Sequence, residues 1–193
     1  CGLLGHKRAK ALPNAKLVAV IDIDVNRAKQ LADLYQVEAH QDPKTFVNRD
    51  DIDIVIIATT NNMLAPIALD AIRAGKHVLV EKPAARNTAE LLPLLEAAKV
   101  NDVRVRVGFN HRYHPAFIKA QALLQEGVLG PIMFIRGRYG HGGRVGYDRE
   151  WRADPEIAGG GELIDQGVHL IDLSRLFLGE FDHVEGYATT YFW

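Results

Sequence analysis

With 193 residues, 48% hydrophobic and 24% charged, the chain has the composition of a soluble globular protein, with room for one large domain or two small ones. Lys and Arg total 23 against 24 Asp and Glu, which leaves no basic field for nucleic acid. No apolar run nears the roughly 20 residues that span a bilayer, and no signal-peptide pattern precedes the fold. The one cysteine excludes an internal disulfide, and the expected location is cytoplasmic.

Cys1-Gly2-Leu3-Leu4-Gly5 reads as the last five positions of Gly-x-Gly-x-x-Gly, in which the glycines let backbone approach a pyrophosphate at a helix N-terminus. A helix is expected from His6 to Leu12, broken by Pro13-Asn14, and a strand from Lys16 to Asp22. Asp22 lies 20 residues after Gly2, the distance at which an acid grips the adenosine ribose hydroxyls. Ile23 stands where a basic residue would suit a 2′-phosphate, so NAD is favoured over NADP, which stays possible. A carboxylate that merely starts the turn Asp24-Val25-Asn26 is the plainer alternative.

Helical periodicity follows over Asn26–Tyr35. Ile52 to Ala58 is dense in β-branched residues, as in a sheet buried on both faces. It runs into the polar turn Thr59-Thr60-Asn61-Asn62, at a strand's carboxyl end, where open α/β sheets bind ligands. A helix over Pro66–Ala74 stopped by Gly75, a strand His77–Val80, a helix Thr88–Val100 and a strand Val103–Phe109 complete the rhythm. Alternation of this kind predicts a doubly wound parallel sheet. In Glu81-Lys82-Pro83, Lys82 sits at a strand's carboxyl end, where a lysine can hydrogen-bond a substrate oxygen and stabilise negative charge. A solvated turn lysine is the alternative.

From Asn110 the character changes. The polar junction Asn110-His111-Arg112-Tyr113-His114-Pro115 leads to a helix Ala116–Gln125 and a strand Ile132–Tyr139. A glycine, arginine and aromatic loop follows from Gly140 to Arg152. Five of the eight basic residues after Phe109 (Arg136, Arg138, Arg144, Arg149, Arg152) lie in or beside it, which hints at an anionic substrate such as a nucleotide sugar or sugar acid, with a surface loop of solvated charge as the plainer alternative. Gly159-Gly160-Gly161 then opens a helix on which Asp165, His169 and Asp172 share a wedge of roughly 60°. Leu163, Ile164, Val168, Leu170, Ile171, Leu173, Phe177 and Leu178 cover most of the rest, so the helix is expected to be buried nearly all round. Asp-x-x-x-His reads as a base with its orienting partner facing a cleft, against a dipole-placed acid and a core histidine.

With Gly2-x-x-Gly5, Asp22, Glu81-Lys82-Pro83 and Gly-Gly-Gly-x-Leu-x-Asp-x-Gly-x-His-x-x-Asp in one order, the chain resembles the Gfo/Idh/MocA family of NAD(P)-dependent oxidoreductases over essentially its whole length. The resemblance implies an NAD(P)-binding Rossmann domain over residues 1–109. It implies a substrate and catalytic α/β domain with an open sheet over residues 110–193, incomplete at its C-terminus. Lys82, Asp165 and His169 look like the catalytic trio. His169 would take the hydroxyl proton, Lys82 would polarise that oxygen and Asp165 would position the pair. Gly2, Leu3, Leu4, Gly5, Asp22, Thr59, Thr60, Asn61, Glu81, Lys82 and Asn110 correspond to the cofactor site. Arg112, Trp151 and Arg152, with Asp165 and His169, correspond to the substrate cleft.

The family often has Pro at Thr60 and His at Leu64. Cys1 in place of Met and the apolar Tyr191-Phe192-Trp193 at the other end suggest a piece of a longer parent, lacking the first Rossmann strand and part of the C-terminal sheet. The polypeptide as given is therefore expected to bind NAD poorly. The parent is expected to be a homo-oligomer acting on a small sugar, nucleotide sugar or cyclitol, with no nucleic-acid, membrane or metal partner. Three other readings are a hydrolase holding a metal through Asp165, His169 and Asp172, a non-catalytic NAD-sensing protein, and a relative that uses NAD for redox cycling or net hydrolysis. Lys82, Asp165 and His169 occurring together weigh against the sensor.

Overall fold

Every strand pair is parallel, so each pair needs a helical crossover, and the chain supplies one each time. The computed structural model describes residues 1–12, 14–140 and 145–189. The expected break at Pro13, Arg144 of the arginine loop and the strand tip Tyr191–Trp193 lie outside the described residues. Two compact units divide the chain, Cys1–Gly108 and Phe109–Trp193.

The first unit runs α1 (Leu3–Lys10), β1 (Ala19–Ile21), α2 (Val25–Tyr35), β2 (Glu38–His40), β3 (Ile54–Ile57), α3 (Asn61–Arg73), β4 (His77–Glu81), α4 (Thr88–Val100) and β5 (Val105–Gly108). The sheet is in two pieces, β1–β2 and β3–β4–β5, rather than the single sheet that the alternation suggests. In the Rossmann strand order 3-2-1-4-5-6, β2 and β1 correspond to places 3 and 2, and β3, β4 and β5 to places 4, 5 and 6. No strand among the described residues holds place 1, between the pieces.

Each piece has its own core. Val55, Ile57, Val78 and Val80 pack with Leu64, Ala65, Ala68, Ala71 and Ile72 of α3, and with Leu94 of α4. Val20 packs with Ala9, Leu31 and Ala32. The apolar spacing of Leu64, Ala65, Ala68, Ala71 and Ile72 marks one helical face and explains why α3 begins at Asn61, ahead of Pro66. α1 likewise begins earlier than expected, within the glycine loop at Leu3. β2 carries no apolar alternation and gains its place by backbone pairing with β1.

The second unit runs from a 3₁₀ turn Asn110–Tyr113 to α5 (Pro115–Gln125), 3₁₀ turns Tyr147–Arg149 and Trp151–Ala153, α6 (Pro155–Ala158), a π-turn Leu163–Gly167 and α7 (Val168–Leu178). The expected strand over Ile132–Tyr139 is not formed, and no strand occurs among this unit's described residues; the expected open sheet is not seen there. Among the described residues the segment has no neighbouring strand to complete a backbone ladder. Met133 and Phe134 are exposed along it, while Gly137 lies against Leu170 so closely that an added Cβ would come within 3.0 Å. The helix expected after the glycines runs from Glu162 to Leu178, with the π-turn Leu163–Gly167 near its start, and Gly159 at φ 81° ends α6 ahead of it.

Candidate active site

α1 and α3 differ from the other helices of the first unit at one end. Asp24 caps α2 by accepting from the Asn26 and Arg27 N–H groups, and Asn87 caps α4 by accepting from Glu90 N–H. The N-caps of α1 and α3, Gly2 and Thr60, make no side-chain capping bond. These two ends are the stretches that the motifs assign to the dinucleotide, Gly2-Leu3-Leu4-Gly5 and Thr59-Thr60-Asn61. A helix start without a cap leaves backbone N–H donors for an anion.

The glycines fit that use. A Cβ added at Gly2 or Gly5 would meet nothing within 4 Å, and Gly2 has an ordinary φ of −75°. Neither local packing nor, at Gly2, backbone geometry demands glycine, whereas close approach of a pyrophosphate would. Thr60 donates its hydroxyl to Asn62 Oδ1 at 2.7 Å, and Thr59 donates to the Thr60 carbonyl at 3.2 Å. Asn61 is buried, and Leu64 is wholly buried in the core.

Asp22 follows β1. Its carboxylate accepts from Asp24 N–H at 2.9 Å. Ile23 beside it is exposed.

Glu81 ends β4 and is buried, with its carboxylate on Arg8 of α1 at 2.6 Å. Arg8 carries no motif signal and went unmarked by the sequence. Gly108 at the end of β5 makes room for this pair: an added Cβ would lie 3.0 Å from Glu81 Oε2 and 3.2 Å from Arg8 Nη2. Lys82 is half-buried in the turn that the Ala84 N–H closes onto the Glu81 carbonyl at 3.0 Å, with a cis Lys82–Pro83 bond.

In the second unit Asp165 lies on the π-turn and His169 and Asp172 on α7, and the expected burial around them is met only in part. His169, Asp172 and Leu173 are buried and Ile164, Val168, Leu170 and Phe177 half-buried, whereas Leu163, Ile171 and Leu178 are exposed. The two acids meet their own partners. Arg112 grips Asp172 with Nε to Oδ2 at 2.7 Å and Nη2 to Oδ1 at 2.5 Å, so Asp172 is not poised as a metal ligand and Arg112 is committed to it. Asp165 accepts from the Tyr147 hydroxyl at 3.1 Å and from Gln166 Nε2 at 3.3 Å, and Arg152 Nε lies 3.5 Å away. Burial first, then the Asp165 charge, pushes the Tyr147 phenol up to about 12, so it remains a donor at neutral pH.

The His169 ring stacks on His111, with centroids 3.9 Å apart and planes at 17°, while Phe109 and Tyr139 meet it edge-on. His111 belongs to the polar junction and Tyr147 to the glycine, arginine and aromatic loop, and the sequence assigned neither a role. Among the cleft candidates, Trp151 carries the Arg152 guanidinium over its ring at 4.4 Å, and Asn110, Arg136, Arg138 and Arg149 are exposed. No group of three or more His, Cys, Asp or Glu among the described residues is arranged to hold a metal ion. No helix among them is long and apolar enough to cross a membrane.

Residues 1–109 match the sequence model of an oxidoreductase family with an NAD-binding Rossmann fold, and residues 117–193 match the Gfo/Idh/MocA C-terminal domain. The levoglucosan dehydrogenase of Pseudarthrobacter phenanthrenivorans is 34% identical over 95% of this chain and 47% of its own length. An inositol 2-dehydrogenase of Salmonella typhimurium is 29% identical over 93% of this chain and 53% of its own. A solved levoglucosan dehydrogenase, in complex with NADH and levoglucosan, superposes with a TM-score of 0.84 at 31% identity, covering 93% of this chain and 52% of that one. An NAD-binding oxidoreductase from Klebsiella pneumoniae superposes with a TM-score of 0.75 at 26% identity, covering 92% and 51%. The chain thus spans about half the length of the curated relatives it matches. It is a member of the Gfo/Idh/MocA family of oxidoreductases, with the family's NAD-binding Rossmann domain ahead of its C-terminal domain.

Proposed function

We propose that the protein carrying this chain is an NAD-dependent dehydrogenase that oxidises a hydroxyl of a sugar or cyclitol, or reduces the corresponding ketone. The observation that carries this reading is His169. It is a buried imidazole with a carboxylate one turn to either side, and both carboxylates are already answered, Asp172 by Arg112 and Asp165 by Tyr147 and Arg152. The imidazole is therefore the group of the stripe suited to exchange a proton near neutral pH.

When bound, NAD supplies the acceptor for the hydride that leaves the substrate carbon. The N–H groups at the start of α1 and the Thr59–Asn61 turn would hold its phosphates, Asp22 its adenosine ribose, and Glu81 and Asn110 its nicotinamide end. His169 accepts the hydroxyl proton as the C–H bond breaks, and Asp165, tied to Tyr147 and Arg152, fixes its orientation. Lys82 donates to the substrate oxygen and favours the charge that develops on it. Arg112, Trp151 and Arg152 belong to the substrate side, Arg112 by bracing α7 through Asp172.

The test is a panel of levoglucosan, myo-inositol, other polyols and phosphorylated sugars, offered to the full-length protein with NAD or NADP while reduced nicotinamide is followed by absorbance. Turnover of a neutral sugar or cyclitol with NAD is the expected result. Substrate conversion without net release of NADH would instead support the redox-cycling reading.

A further inference from the structure

Glu81 and Gly108 are partners across neighbouring parallel strands, each the last residue of its own, β4 and β5. Arg8 reaches them from α1, the helix that opens in the glycine loop, 73 residues before Glu81. Its Nε and its Nη2 both lie 2.6 Å from Glu81 Oε1. The Glu81 side chain is 8% exposed and that of Arg8 28%, so the pair is largely out of water. Gly108 does not lie in the left-handed region, so its backbone has no need of glycine. The space taken by Glu81 and Arg8 is what keeps a side chain away from that position.

Stability alone is a poor account of such a pair. Desolvating a carboxylate and a guanidinium offsets most of what their attraction returns, and apolar residues of similar volume would hold α1 to the sheet as well. What an ion pair adds is a fixed direction for the carboxylate. The link also joins two places with chemical content. At one end, α1 begins with N–H groups that no side chain caps. At the other, Glu81 is followed directly by Lys82, and the Glu81 carbonyl accepts the Ala84 N–H that closes the turn. Both ends lie where open α/β sheets take their ligands, at the carboxyl ends of parallel strands.

We propose that Arg8 is a positioning residue for the cofactor site. By holding the Glu81 carboxylate, it ties the phosphate-binding start of α1 to the turn that carries Lys82. The nicotinamide end of the cofactor then meets Glu81 in one fixed orientation, with Lys82 held in register beside it. This deepens the dehydrogenase reading and rests on it for the roles of Glu81 and Lys82.

The test is made on the full-length protein with Arg8→Gln, Arg8→Lys, Glu81→Gln and the double variant Arg8→Gln/Glu81→Gln. NADH affinity is measured by isothermal titration, and the melting temperature is measured without cofactor. Arg8→Gln is expected to weaken NADH binding about tenfold and to lower kcat by a similar factor, with KM for the sugar or cyclitol within about threefold. Arg8→Lys keeps the charge and recovers part of both losses. Once Glu81 is glutamine, no carboxylate is left to direct, so Arg8→Gln then weakens NADH binding by less than about twofold. Arg8→Met, which keeps the stem over the sheet, replaces Arg8→Gln if that variant does not fold.

A purely structural Arg8 would lower the melting temperature and leave NADH affinity unaltered. That result, or losses of NADH affinity that simply add in the double variant, overturns the proposal. If the losses are coupled but no sugar or cyclitol is turned over, the positioning role stands and the dehydrogenase reading fails. If Arg8→Gln oxidises a sugar at the unaltered rate with NADH affinity unchanged, the dehydrogenase reading stands and Arg8 has no part in it.

Discussion

Arg112 and Asp172 form a two-pronged ion pair between residues 60 apart in the chain, and it is this pair that fastens the turn carrying His111 to the helix carrying His169. The hydrogen bonds to Asp172 raise the guanidinium above its ordinary value, and Asp172 is buried. Arg112→Ala leaves that carboxylate without its cation and is expected to cost about 2–3 kcal/mol, less than for a fully buried pair because Arg112 is part-exposed. Arg112→Lys recovers only part, since a lysine cannot match the planar fork. Urea unfolding of the three proteins gives the answer, and equal stability of all three would remove the clamp from the account.

Gly108 is predicted to be intolerant of a side chain for a specific reason. Its Cβ would crowd Glu81 Oε2 and Arg8 Nη2. Gly108→Ala is expected to destabilise by roughly 1–2 kcal/mol. In an Arg8→Ala background that penalty shrinks, because one of the crowded groups has gone. A double-mutant cycle of thermal stabilities reads the coupling, and strict additivity would contradict the crowding argument.

Opposite signs are expected at the start of α1. Gly2→Asp supplies the missing cap and a negative charge at the helix N-terminus, so stability stays level or rises by a few tenths of a kcal/mol. The same carboxylate occupies the donors proposed for the pyrophosphate, so NADH affinity in the full-length protein falls by about tenfold or more. Isothermal titration beside a melting curve separates the two effects, and unaltered affinity would mean that the phosphates bind elsewhere.

How much of this was legible depends on the range of the interaction. β3 and α4 could be read because the β-branched run Ile52–Ala58 and the helical stretch Thr88–Val100 are local signals. Glu38–His40 could not, since it is a strand only by virtue of pairing with β1. The reverse error occurred at Ile132–Tyr139, where residues suited to a strand have no partner among those described. At the site, the spacing of Asp165, His169 and Asp172 showed in the sequence, and it also suggested that the apolar residues around them were the buried ones. His169 and Asp172 are buried as well, because Arg112 and His111 arrive from about 60 residues upstream, a distance no periodicity reports. Arg8, 73 residues from Glu81, escaped for the same reason.

Tyr147 gives a pH signature. Its phenol is raised to about 12 from an ordinary value near 10, so the protonated form is the one the fold prefers. The stability it contributes is then complete below pH 10 and is lost as pH rises towards about 12. Against Tyr147→Phe, the stability difference should be flat from pH 6 to 9 and fall over that alkaline window. A difference that grows with pH there would contradict the assignment. The same variant loosens Asp165 and should lower kcat several-fold with little change in KM.

The central claim is that His169 handles the substrate proton in an NAD-dependent oxidation. The most direct measurement is steady-state turnover of the preferred sugar or cyclitol by the full-length protein and by His169→Gln, with NADH binding measured on both. The account predicts that kcat falls by about 10²–10⁴-fold while NADH affinity stays within a factor of about three. Turnover by His169→Gln at the unaltered rate, with cofactor binding intact, would contradict it.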